Sequence, residues 1–109
     1  MNRVEIPNKK ASETILLGQN GNSPFNFVSA LSPNEIITVA SVVCTVYSGN
    51  DPSPASVING AAGINGQQVT QSITGGITGV IYELACTVNT NDAQVLKLTG
   101  YLAIIPDLT

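Results

Sequence analysis

The chain has 109 residues, room for one domain and one core. Only 10% of them are charged, 43% are hydrophobic and the net charge is −3. Disorder requires the opposite balance of charge and hydrophobicity. A soluble domain usually carries about 25% charge, so this composition predicts a folded domain partly covered by neighbouring subunits.

Three of the four basic residues, Arg3, Lys9 and Lys10, lie in the opening MNRVEIPNKK, and Lys97 is the fourth. Phosphate binding needs a basic patch, and residues 11–96 contain no Lys or Arg; no nucleic-acid partner is expected. Residues 1–12 read as a flexible amino-terminal arm ahead of a domain over 13–109. No apolar stretch follows the early charges, and no run reaches the roughly 18 apolar residues of a membrane helix. Synthesis and retention in a cytoplasm until assembly, with no membrane partner, is the expectation.

Beyond the arm, Val, Ile and Thr dominate, and β-branched side chains suit a pleated sheet better than a helix. Asn20-Gly21, Asn59-Gly60, Asn65-Gly66, Gly75-Gly76 and the prolines at 52 and 54 cut the chain into short runs. Strands are predicted at 13–17, 25–28, 36–47, weakly at 55–58, and at 61–64, 67–73, 80–89 and 94–105. LSPNE (31–35) turns the chain into its first long strand, TNDA (90–93) closes a hairpin, and Pro106 stops the last strand. Alternation puts Val80, Tyr82, Leu84, Cys86 and Val88 on one face and Ile81, Glu83, Ala85, Thr87 and Asn89 on the other. By the same parity Ala40, Val42, Cys44 and Val46 face inward, as do Leu96, Leu98, Leu102 and Ile104. The fold class is all-β: an immunoglobulin-like antiparallel β-sandwich of about seven strands behind the arm.

Cys44 and Cys86 both fall on inward faces. A bridge between sheets is one reading, because immunoglobulin domains join two such strands. The chain has no Trp, however, and Leu84 stands where the corner Tyr of those domains would be. Free thiols acting as small hydrophobes in a reducing compartment are the expectation. With no His and no close Cys pair, no metal site is predicted.

The commonest general base is missing with histidine, and the seven carboxylates are scattered. Asp51 and Asp92 sit in turns, where Asp serves backbone hydrogen bonding. No catalytic residue, no cofactor-binding residue and no cofactor is predicted; the chain reads as no enzyme. TGGITG (74–79) looks like a phosphate cradle, yet no Lys follows it and VIYELACTV alternates as a strand rather than opening a helix. Gly75, Gly76 and Gly79 are better used to turn the chain between two strands.

The stretch 69–89 with its TNDAQ turn resembles small tailed-bacteriophage virion proteins. In them a segment like S-G-G-x-x-G-x-x-Y-x-(apolar)-x-C/V-x-V links the last strands of an immunoglobulin-like domain. The matching residues are Ile73, Gly75, Gly76, Gly79, Tyr82, Leu84, Cys86 and Val88, with Asp92 and Gln94 in the next turn. KKASETILL and FNFVSALSPNEIITVASV also resemble the start of that family. Asp92-Ala93 departs from the usual Asp-Gly, and the early segment offers only Phe25 and Phe27 as aromatics.

The resemblance implies a fibre–tail or head–tail adaptor, a connector at the neck or tail that joins virion components by ring-like self-assembly. Other virion proteins (tail, connector or fibre components) are then its partners. Residues 1–12 and loops 18–24 and 48–54 are the expected contact elements. A capsid decoration or head-fibre protein is the alternative. A carbohydrate- or host-surface-binding module ranks lower, since Tyr47, Tyr82, Tyr101 and two Phe are the only aromatics for stacking on sugars.

Overall fold

The structure is a computed structural model and describes residues 3–18 and 23–106, the side chains of Arg3 and Glu5 excepted. Its described strands are β1 (Arg3–Glu5), β2 (Lys9–Lys10), β3 (Thr14–Leu17), β4 (Phe25–Asn26), β5 (Ile37–Ser48), β6 (Gly63–Asn65), β7 (Gln68–Thr74), β8 (Ile81–Thr90) and β9 (Val95–Ile105). One sheet runs β1-β9-β8-β5, with β2 also on β9; β3, β4 and β6 pair with β7 in the other. Successive strand side chains point to opposite faces, and burial alternates residue by residue along β7 and β8. The inward rows meet as a core that includes Phe25, Val69, Ile73, Tyr82, Leu84, Val88 and Leu102, all fully buried. Burial of each such aliphatic or aromatic side chain is worth roughly 1.5–3 kcal/mol. The result is the predicted two-layer sandwich.

β8 is the spine of the first sheet. It pairs antiparallel with β5 from Ile37↔Thr90 to Ser48↔Ile81, with two register shifts, and with β9 from Ile81↔Ala103 to Asn89↔Val95. β7 holds the second sheet: Val69 pairs with both Phe25 and Ile64, and Ile73 with both Ile15 and Ile58. Gln71 also points inward from β7. Its amide donates to the Gly60 and Ser72 carbonyls, while its Oε1 finds no donor among the described residues.

Three local expectations are corrected. First, residues 3–10 do not form a free arm: β1 and β2 run parallel to β9, in the registers Val4↔Gly100 and Lys9↔Ile104. Val4 and Ile6 alternate as apolar residues, and Ile6 is buried where Gly100 has no side chain. A Cβ at Gly100 would lie 2.5 Å from Ile6 Cδ1, so the segment is a strand held by burial. Second, 54–57 is a 3-10 turn rather than a weak strand. Pro54 sits at its start, and Ser53 N–H is taken by the Asp51 carboxylate at 2.8 Å; proline tolerates a helical first turn and donates nothing to a ladder. Third, Val28 opens a second 3-10 turn because Asn26 Oδ1 accepts its N–H, ending the strand at Asn26. The cysteines are as expected, and the inter-sheet bridge set aside above has no place here. Cys44 pairs with Leu84 and Cys86 with Val42 on adjacent strands of the same sheet, and both thiols are free and buried.

Candidate functional site

The two ends of the sandwich are tied by different polar networks, each built from turn residues. At one end LSPNE closes on itself: Glu35 N–H donates to the Ser32 carbonyl at 3.0 Å, and Glu35 Oε1 accepts Ser32 N–H at 3.0 Å. KASE uses the same reciprocal turn, with Lys10 N–H on Glu13 Oε1 at 2.8 Å and Glu13 N–H on the Lys10 carbonyl at 3.1 Å. Each turn has the Glu half of a capping box, the return bond going to a backbone carbonyl, with no helix to follow. Glu35 is buried all the same. Its Oε2 accepts the Thr90 hydroxyl at 2.5 Å and the Gln94 amide at 2.7 Å. The Thr90 hydroxyl and the Ser32 N–H hold the carboxyl below its ordinary range against the opposing push of burial, and Gln94 adds to the lowering. Gln67 completes the knot by donating to the Ser32 and Glu35 carbonyls.

The hairpin that carries Thr90 and Gln94 is a tight loop. Ala93 N–H bonds the Thr90 carbonyl and Thr90 N–H bonds the Gln94 carbonyl. Ala93 has φ 61°, the left-handed region that glycine occupies without cost. This is the loop in which a residue after a type I turn takes the left-handed position.

At the opposite end the glycine run meets a cation. Lys9 is buried, and its ammonium donates to the Gly75 carbonyl at 2.5 Å and to the Lys10 carbonyl at 2.7 Å. The loop thus offers an oxygen to a positive charge, the reverse polarity of a phosphate cradle. Gly76, at φ 98°, lies where a Cβ would come within 2.9 Å of Ile104. The next N–H, of Ile77, donates to the Tyr82 hydroxyl at 2.9 Å, and that hydroxyl donates to Asp51 Oδ2 at 2.6 Å. Burial, reinforced by the Asp51 hydrogen bond, pushes the Tyr82 phenol up to about 12. Burial also pushes the Cys44 and Cys86 thiols up to about 12, so neither is a thiolate nucleophile near neutral pH.

The expected contact elements are therefore divided. Lys9, Lys10 and the 48–54 loop gather with 75–80 at one end. Ser23 bonds the Val69 carbonyl towards the other, and residues 1–2 and 19–22 lie outside the described residues. Among the described residues no group of three or more His, Cys, Asp or Glu could hold a metal ion. A shallow cleft of about 100 Å³ between Asn26–Ala30 and Leu96–Leu98 has no titratable group except Lys97 in its wall. No helix among them is long and apolar enough to cross a membrane.

Residues 23–102, well over half of the chain, match the model of the family described as Podophage GP4 fiber-tail adaptor protein gp77. The chain belongs to this family. The matched span holds the Glu35 knot, the Tyr82–Asp51 link and the glycine run, while Lys9, which donates to Gly75, lies outside it. No curated protein matches the chain. Sequence reasoning named no site residue: it read TGGITG and Asp51 as turn formers and Tyr82 as an inward core residue, and it gave no role to Glu35 or Lys9. Glu35 had a signal in the Ser-x-x-Glu spacing that capping boxes share. Lys9 had none, because its burial depends on the meeting of β2 with the glycine run.

Proposed function

We propose that the chain is a non-enzymatic adaptor of a podophage virion, placed at the neck or tail, that joins the tail to its fibres or to another connector component. The match over residues 23–102 carries this reading. The geometry supports it: the polar groups drawn together at the two ends bind one another and stiffen the turns, leaving a rigid block rather than a reactive cleft. Such a block works by fit, with its surfaces seated against neighbouring virion proteins. Its strand connectivity, with an antiparallel β5-β8-β9 meander, β1 parallel on β9 and β3 and β6 on β7, supports an immunoglobulin-like sandwich. Copies would assemble in the host cytoplasm and close into a ring at the junction.

A density map of the intact virion tests this. The reading expects the sandwich at the fibre–tail or neck junction in about a dozen copies or fewer, as closed symmetry at a single junction allows. Hundreds of copies on the capsid shell would overturn it and make the chain a decoration protein.

A further inference from the structure

Among the described strands, β5 is the long one that ends a sheet. It closes the order β1-β9-β8-β5, and no described strand lies on its outer side. Its ladder runs to β8, and among the described residues no other backbone hydrogen bond involves residues 37–48. The remaining strands that end a sheet, β1, β2, β3, β4 and β6, are two to four residues long. Short edges are one way in which folded proteins avoid pairing with other chains; charges, prolines and bulges are others. β5 has 12 residues, ITVASVVCTVYS, with no charge and no Pro. Its register shifts fall at its two ends, at Ile37/Val39 and Val46/Ser48, so the stretch between them is a regular open edge.

The residues on this edge identify its occupant. The outward row is Val39, Ser41, Val43, Thr45 and Tyr47, of which Val39, Val43 and Tyr47 expose 57%, 56% and 61% of their surface. The inward row is only partly covered: Cys44 is buried, but Ala40, Val42 and Val46 are half-buried. Both rows are symmetric in character about Val43. Hydroxyls stand two residues away on either side, at Ser41 and Thr45, and the other positions from Val39 to Tyr47 are apolar or aromatic. An antiparallel two-fold pairing centred on Val43 therefore matches the strand to itself. Val43 meets Val43, Ser41 meets Thr45 and Val39 meets Tyr47 on one face. On the other, Val42 meets Cys44 and Ala40 meets Val46. Hydroxyl pairs and aromatic–β-branched pairs are cross-strand contacts that stabilise sheets. Centring the axis on Val42 or Cys44 instead would set valine against a hydroxyl.

We infer that β5 pairs with β5 of a second copy of this chain, joining their first sheets into one continuous sheet. Ala40–Val46 lies wholly within the regular stretch, and an antiparallel ladder over it supplies about six to eight backbone hydrogen bonds. A typical protein interface carries roughly 10 ± 5. With no charge on β5, no like charges of this strand meet across the axis. An isologous contact uses one edge twice, so a ring built on it holds an even number of copies. The inference goes beyond the adaptor reading and does not depend on it. A dimer found on no virion would overturn the adaptor alone, and a monomer at the fibre–tail junction would overturn the dimer alone.

Sedimentation velocity of the purified chain, from low to high micromolar concentration, should show a dimer. Val43→Lys sets two like charges on the axis and should weaken that dimer by about tenfold or more. Thermal unfolding in dilute solution checks that the variant folds. Engineered cysteines read the register without disturbing the edge. Ser41→Cys mixed with Thr45→Cys should give a disulfide-linked dimer under mild oxidation. Neither variant alone should link, because the two copies of either residue stand four positions apart, about 13 Å along the strand, beyond the reach of a disulfide. The natural chain is the control for Cys44 and Cys86. A monomer at every concentration would overturn the pairing and leave the edge to an extended segment of another protein. Dimerisation untouched by Val43→Lys, or linkage of either single cysteine variant as readily as the mixture, would overturn it as well.

Discussion

Single residues set the strain and the pH response of this sandwich. Ala93 occupies a left-handed conformation at φ 61°, which costs an L-residue about 1–2 kcal/mol. Glycine removes that cost but enlarges the unfolded ensemble, returning about 0.4–1 kcal/mol. Ala93→Gly should therefore raise stability by about 0.5–1 kcal/mol, seen as a higher urea midpoint at an unchanged slope; a lower midpoint would refute the strain. Glu35 behaves differently. Its carboxyl is held below the ordinary range by the Thr90 hydroxyl first, then by the Ser32 N–H and the Gln94 amide. A carboxylate depressed in the folded state contributes stability that is complete above its unfolded value, near 4.3, and is lost as pH falls through the folded value. Urea midpoints should decline below about pH 4.3, and Glu35→Gln should make that decline shallower. Equal slopes in both proteins would show that other carboxylates carry the acid response.

At the scale of elements, the clearest case is the amino-terminal segment. Alternating Val4 and Ile6 pack over Gly100, and Lys9 is drawn into the end of the sandwich. Removing residues 1–10 should cost about 2 kcal/mol or more, from buried Ile6 and half-buried Val4. The same cut should speed amide exchange along β9 from Thr99 to Ile105. An arm lying free in solvent would cost nothing, so unfolding at the natural midpoint would restore that reading. The long strands were legible because their alternation persists over ten or more residues: Tyr82, Leu84, Cys86 and Val88 all face the core as predicted. The short elements were not. VEI offers too few residues for a period to show, and PASV has β-branched composition only at Val57, while Pro54 and the Asp51–Ser53 bond impose a turn.

For the whole molecule, the two thiols report on the core. Cys44 and Cys86 are both buried, with their ionisation pushed up to about 12. A thiol reagent at neutral pH should label neither until the domain opens, and the labelling rate should follow the global unfolding equilibrium as urea is added. Fast labelling of one cysteine in native conditions would mean that the β5–β8 half opens by itself. The same burial gives an alkaline response. A thiol raised above its unfolded value, near 8.5, contributes stability that is complete below that value and is lost as pH rises through about 12.

By itself, the sequence determined the fold class, the long strands, their inward faces and the turning role of Gly75, Gly76 and Gly79, because period, propensity and turn chemistry are local properties that neighbouring residues express together. Only the tertiary structure decided that Arg3–Glu5 and Lys9–Lys10 are strands on β9, that both cysteines share one sheet, and that Glu35 and Lys9 are buried. Each of these depends on which distant segments meet. Local pattern carries no record of strand order, and the burial of a charge is settled by the partners that a distant part of the chain brings to it.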